Sequence, residues 1–196
     1  MANTLTLTLN KNNIINAVKA DTFITGMADK SQDSVKNAAL AYNEQAGDDT
    51  YHEVKLFRTL REALAKFEAN MAEYVDTSDP AATITDTLSS AAETFTITAT
   101  VGSRFNKAFA ATLASLAESY IINTMLYSWW QSLKPALAKD YYGFANDSLV
   151  AVQRCLSKSA PTVGANSYDS PTGEVVVPQT NTTQSEPAAQ SEPSNP

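Results

Sequence analysis

The chain has 196 residues, 43% of them hydrophobic, enough for one domain around a single sizeable core. Its net charge of -7 excludes a protein that grips nucleic acid through clustered Lys and Arg, although an acidic wall would let a duplex slide past without sticking. A single cysteine, Cys155, excludes an internal disulfide framework, and a single histidine, His52, leaves no ligand spacing for zinc.

Thr4 to Leu9 alternates Thr and Leu strictly, which predicts a half-buried strand with Leu5, Leu7 and Leu9 on one face. Asn10 can cap a helix running from about Lys11 through Ile14, Ile15, Val18 and Ile24 to Met27. A weaker helix is expected from Ser31 or Asp33 through Val35, Ala38, Ala39 and Tyr42, ended by Gly47.

Thr50 with Glu53 three residues on reads as a capping box. The helix it opens carries an apolar stripe of Val54, Phe57, Leu60, Leu64, Phe67, Met71 and Tyr74, with Lys55, Arg58, Arg61, Glu62, Lys66 and Glu73 on the solvated face. Thr77 to Ala92 contains Pro80 and is dense in Ser, Thr, Asp and Ala, which predicts a loop.

Glu93 to Val101 repeats the period-two signature, with Phe95, Ile97, Ala99 and Val101 inward and threonines outward. Two matching half-apolar ribbons are natural partners in one small sheet. Gly102 and Ser103 mark the switch to a long helix, with Ser103 as its cap and Phe105, Phe109, Leu113, Leu116, Tyr120 and Thr124 on one face, extending as far as Ser132. Pro135 fits the first turn of a final helix with the stripe Ala138, Tyr141, Tyr142, Ala145, Leu149, Val152 and Leu156. So short a connection folds this helix back on its predecessor as an antiparallel hairpin.

The fold class expected is therefore mainly α with a small β element: a helical bundle with a long hairpin and two short strands over residues 1–160. Residues 161–196 hold four of the 21 acids, none of the 14 bases and six of the eight prolines, which predicts a disordered or extended acidic tail. Its apolar run, Val175, Val176 and Val177, suits strand addition to a neighbour's sheet edge. The opening alternation lacks a basic stretch, which argues against a secretory leader, and the apolar stretch Tyr120 to Trp130 is broken by Asn123, Thr124 and Ser128. A soluble protein made in the cytoplasm is expected, with no membrane contact.

Catalysis needs convergent titratable groups, and the sequence is poor in them. His52 beside Glu53 reads as a surface histidine, Cys155 as a small buried hydrophobe, and Asp48 and Asp49 as carboxylates favoured at a helix start. No phosphate loop or nucleophile elbow is present, so neither enzyme activity nor a cofactor or metal is expected. What stands out is the aromatic cluster Tyr127, Trp129, Trp130, Tyr141 and Tyr142. It is either a core plug or a subunit interface, because consecutive tryptophans point about 100° apart on a helix and one small domain must then cover both.

A Leu/Thr strand, a short helix, a long amphipathic helix, the strand around Phe95, Thr96 and Ile97 running into a long Trp-ended helix, and a last helix from Lys134 and Pro135 together resemble a known family. It comprises small virion proteins encoded in the structural gene clusters of tailed phages and prophages of gut anaerobes. The resemblance spans about residues 4 to 160; relatives finish with a short basic end, whereas this chain adds an acidic, proline-rich segment and a long loop at Thr77 to Ala92. It implies a connector or adaptor in the virion: a homo-oligomeric ring below the portal that touches portal and neck proteins while DNA passes without specific binding. The hairpin Ser103 to Ser157 would supply one subunit face and the helix Thr50 to Val75 the other, with acidic side chains toward the lumen. Tyr127, Trp129, Trp130 and Val175 to Val177 are the expected interface residues. Other members of the class compatible with the sequence are a tail, neck or capsid accessory subunit. Outside it stands a host helical protein-binding module.

Overall fold

The computed structural model describes residues 2–29, 45–47 and 49–157. The helix expected over Ser31 to Tyr42, the acidic segment 161–196 and its Val175 to Val177 lie outside the described residues. The chain runs β1 (Asn3–Asn10), α1 (Lys11–Asp29), α2 (Thr50–Met71), a short 3-10 turn (Ala72–Tyr74), β2 (Ile84–Asp86), β3 (Thr94–Val101), a second 3-10 turn (Lys107–Phe109), α3 (Ala110–Trp130) and α4 (Pro135–Ser157). The architecture is mainly α with a small antiparallel sheet.

The sheet is ordered β1-β3-β2. Leu5 lies opposite Ala99, Leu7 opposite Ile97 and Leu9 opposite Phe95, so the apolar faces of the two Thr-backed strands coincide and all six side chains are buried. The threonines fall on the other, more exposed face. At the end of this ladder the chain turns directly into α1: the Lys11 N–H donates to Glu93 O (2.8 Å), and Asn10 Oδ1 accepts from the Asn13 N–H (2.9 Å), capping the first turn as its side chain predicts.

Four sequence expectations are corrected. Thr77 to Ala92 is not all loop, since Ile84–Asp86 pairs with β3, Thr85 facing Thr98. Three residues are too few for an alternation to register, and only the neighbouring strand defines them. The cap of α2 is Asp49 and not Thr50: Asp49 Oδ1 accepts from His52 N (2.9 Å). Ser103 caps nothing; Gly102 to Phe105 form a tight turn, Asn106 Oδ1 caps the 3-10 turn through Ala108 N (3.0 Å), and the α-helix begins only at Ala110 and ends at Trp130. Finally, the buried stripe of α2 is Leu56, Leu60, Ala63, Leu64, Phe67 and Met71, rotated so that Val54 is 66% exposed while Leu56 is inside.

Helix α3 is the axis of the molecule. It packs antiparallel along the length of α4, and α2, α1 and β1 close around its other sides. Nine of its residues, from Leu113 to Trp130, are buried. A helix apolar around its whole circumference needs cover on every side, and this arrangement supplies it within one chain.

Candidate interaction surface

The aromatic cluster at the hairpin tip divides into an inner and an outer part. Trp129 is 1% exposed and Trp130 0% exposed, so the proposal that they form a subunit interface is overturned: both are core. The physical reason is the central position of α3, which lets different neighbours cover the two directions in which consecutive side chains point. Lys55 of α2 holds its Nζ 4.0 Å above the Trp129 ring centroid, and the His52 ring meets the same indole edge-on at 5.5 Å. Lys134, just past the end of α3, places its Nζ 5.0 Å from the Trp130 centroid. Lys55 is thus no solvated bystander; burial, and then the nearby Arg58, push its ammonium pKa down. The Trp130 indole N–H is buried without an acceptor among the described residues.

His52 has a structural post as well. Gly47 N–H donates to its Nδ1 (2.9 Å), which ties the segment ahead of α2 to the first turn, with Asp49 Oδ2 3.2 Å from the same nitrogen. Asp49 is occupied as a helix cap, Asp48 lies outside the described residues, and Cys155 is half-buried in α4. Among the described residues no three His, Cys, Asp or Glu side chains gather as a metal site, and no helix is long and apolar enough to cross a membrane.

The outer part of the cluster is where apolar surface reaches solvent. Tyr127 is half-buried and packs at a tilt against Tyr142 (5.5 Å), which is 61% exposed; Tyr141 meets Phe144 edge-on (6.2 Å), and Phe144 and Leu133 are also exposed. Tyr142 was expected inside the α4 stripe; it sits at the rim because α4 packs chiefly against α3, so the buried arc is narrow.

A second exposed apolar region lies on the opposite flank of α2. Lys66 and Asn70 line a cleft shared with Tyr120, Tyr127 and Tyr142, on the hairpin side of that helix. Val54, Phe57 and Arg61 line a groove of about 920 Å³ shared with Lys11, Ile15 and Lys19 of α1. Tyr51, at the start of α2, is also exposed. Of the expected interface residues that the structure describes, Tyr127 reaches the surface whereas Trp129 and Trp130 do not; the groove and the outer rim were missed because both depend on the rotation of α2 and α4, which periodicity fixes only to within about one residue.

One further pair depends on the unexpected strand. Glu68 of α2 lies beside Asp86 of β2, and Glu68 Oε1 is buried without a hydrogen-bond partner among the described residues. Burial first, and then the neighbouring Asp86 carboxyl, push the Glu68 pKa up to about 7.

No protein-family model, no curated protein and no solved structure matches this chain.

Proposed function

We propose that the chain is a virion structural protein that closes into a homo-oligomeric ring at a phage head-to-tail junction, continuing the DNA channel below the portal. The observation that carries the reading is the presence of two unlike apolar surfaces on opposite flanks of α2: the aromatic rim around Tyr127, Tyr142 and Phe144, and the groove lined by Val54 and Phe57. A ring needs heterologous contacts, in which one face of a subunit meets a different face of the next. Exposed apolar side chains grouped in patches, in place of a single scattered residue, mark surfaces made to be covered. The net charge of -7 suits a channel wall that must not retain DNA. Among the described residues, His52, Asp49, Lys55 and Trp129 are each engaged in packing or capping.

Sedimentation velocity and negative-stain images of the full chain test the proposal. Closed rings of uniform diameter are expected, with assembly weakened in Tyr142→Ser/Phe144→Ser while the helical signal is kept. A chain that stays monomeric at every concentration overturns it. Position of the coding sequence among portal and neck genes separates the virion reading from a host helical binding module.

A further inference from the structure

The sheet leaves one long edge open. In the order β1-β3-β2, β3 is paired on both sides, β2 is three residues long and carries Asp86, and β1 presents the eight residues from Asn3 to Asn10. The Lys11 N–H bond to Glu93 O belongs to the same register as the pairs Leu9 with Phe95 and Leu7 with Ile97. The odd-numbered residues of β1 therefore bond β3, and Thr4, Thr6 and Thr8 turn their N–H and C=O groups to the open side. The far side of β3 agrees, since the bond from Thr87 N–H to Thr96 O makes its even-numbered residues those that bond β2. All three threonines of β1 are exposed, and no described residue bonds their backbone groups.

Edges of that length are blunted in monomeric proteins by a charge, a proline or a bulge. β1 has none of these: Ala2 to Asn10 is uncharged, and its register with β3 runs unbroken over all eight residues. The alternation then restricts what can be added. An incoming strand must set apolar side chains on the leucine face, where the helices pack, and small polar ones on the open threonine face. Among the described strands, only β1 of another copy combines that pattern with sufficient length and a free edge.

We propose that β1 of two copies pair edge to edge, antiparallel about a two-fold axis at Thr6, and join the two sheets into one. Thr4 then lies opposite Thr8 and Leu5 opposite Leu7, so each face meets its like and no charge opposes another. Thr4, Thr6 and Thr8 of each copy exchange both backbone hydrogen bonds with Thr8, Thr6 and Thr4 of the other. Asn10, which caps α1 through Asn13, falls opposite Ala2 in this register, so α1 of each copy starts just beyond the other's strand. The contact goes beyond the ring reading and does not depend on it, because no β1 residue lines either flank of α2 and an isologous pair closes after two copies.

The test uses full chains carrying Tyr142→Ser/Phe144→Ser, so that the ring contact does not contribute. Sedimentation should show a concentration-dependent equilibrium of monomer and dimer. Thr6→Pro removes an outward N–H and leaves the β1–β3 ladder whole, so helical circular dichroism should stay while self-association weakens about tenfold or more. Thr6→Lys, which sets like charges face to face at an exposed position, should weaken it as well without asking the strand to accept a proline. In a Cys155→Ser background, Thr6→Cys should give a disulfide-linked dimer on mild oxidation, because paired residues on the axis lie about 5.5 Å apart at Cα. Thr4→Cys should not, since the two copies of residue 4 are offset by four steps along the strands, roughly 13 Å. Dimers that persist in both Thr6→Pro and Thr6→Lys overturn the pairing, as do cross-links formed equally at Thr4 and Thr6, or at neither. A wild type that forms the β1-paired dimer and no ring overturns the ring reading and leaves the pairing standing.

Discussion

Glu68→Gln should stabilise the protein at alkaline pH and do nothing at acid pH. In the folded chain the Glu68 carboxyl is pushed from an ordinary value of 4.5 up to about 7, by burial first and then by Asp86. A folded-state pKa above the unfolded one means that the folded state binds the proton more tightly. The carboxyl therefore favours folding below about 4.5, loses that contribution as pH rises toward 7, and leaves the full penalty above it. Two and a half units correspond to roughly 3.4 kcal/mol, but Glu68 is only partly buried, and solvent screening reduces this to about 1–2 kcal/mol. Gln is nearly isosteric, carries no charge, and can donate its amide N–H to the Asp86 carboxylate. Thermal melts followed by circular dichroism should show Glu68→Gln melting roughly 3–6 °C above the wild type at pH 8 and level with it at pH 4.5. Asp86→Asn should give a smaller gain of the same sign. A Glu68→Gln protein equal to or less stable than the wild type at pH 8, or stabilised equally at both pH values, would refute the carboxyl pair.

Phe67, fully buried on α2 and 5.7 Å from the Tyr120 ring, should cost about 3–5 kcal/mol on replacement by Ala, read from urea unfolding. Asp49→Ala should lower stability by about 1 kcal/mol through loss of the α2 cap, whereas Thr50→Ala should change little; equal effects would restore the capping box expected from sequence. Trp129→Ala should unfold the domain or cost about 3–5 kcal/mol, measured in the same urea titration, because a core indole is lost; a folded variant of unaltered stability would return Trp129 to the surface. Removal of residues 161–196 should leave the helical circular dichroism signal of the remaining chain in place, since the side chains buried among the described residues, from Leu5 to Leu156, already form one continuous core.

Several of these features were fixed locally and so were legible without tertiary information. Strict alternation at Leu5, Leu7 and Leu9 and at Phe95, Ile97 and Ala99 specifies strands, because a slip of one residue would turn every leucine to solvent; the observed register pairs the two apolar sets face to face. Asn10 as a cap and Pro135 at the start of the last helix act through their own backbone neighbours, so their roles follow from identity and position.

What only the tertiary structure decided is which side of each apolar helix faces which neighbour. Strand β2 exists because β3 offers it a partner: Thr87 N–H reaches Thr96 O across a connection whose own residues favour nothing regular. Val54 is outside and Leu56 inside because α2 turns the arc of Leu56, Leu60, Leu64 and Phe67 onto the core, a rotation that also brings His52 and Lys55 against Trp129. The two tryptophans seemed too much for one domain to hide only while α3 was imagined at its surface. Pattern along a chain reports how much of a helix must be covered, whereas the cover comes from elements distant in sequence. For Trp129 and Trp130, α2 and the hairpin supply it, which left Tyr142, Phe144 and Val54 among the apolar side chains that the described residues expose.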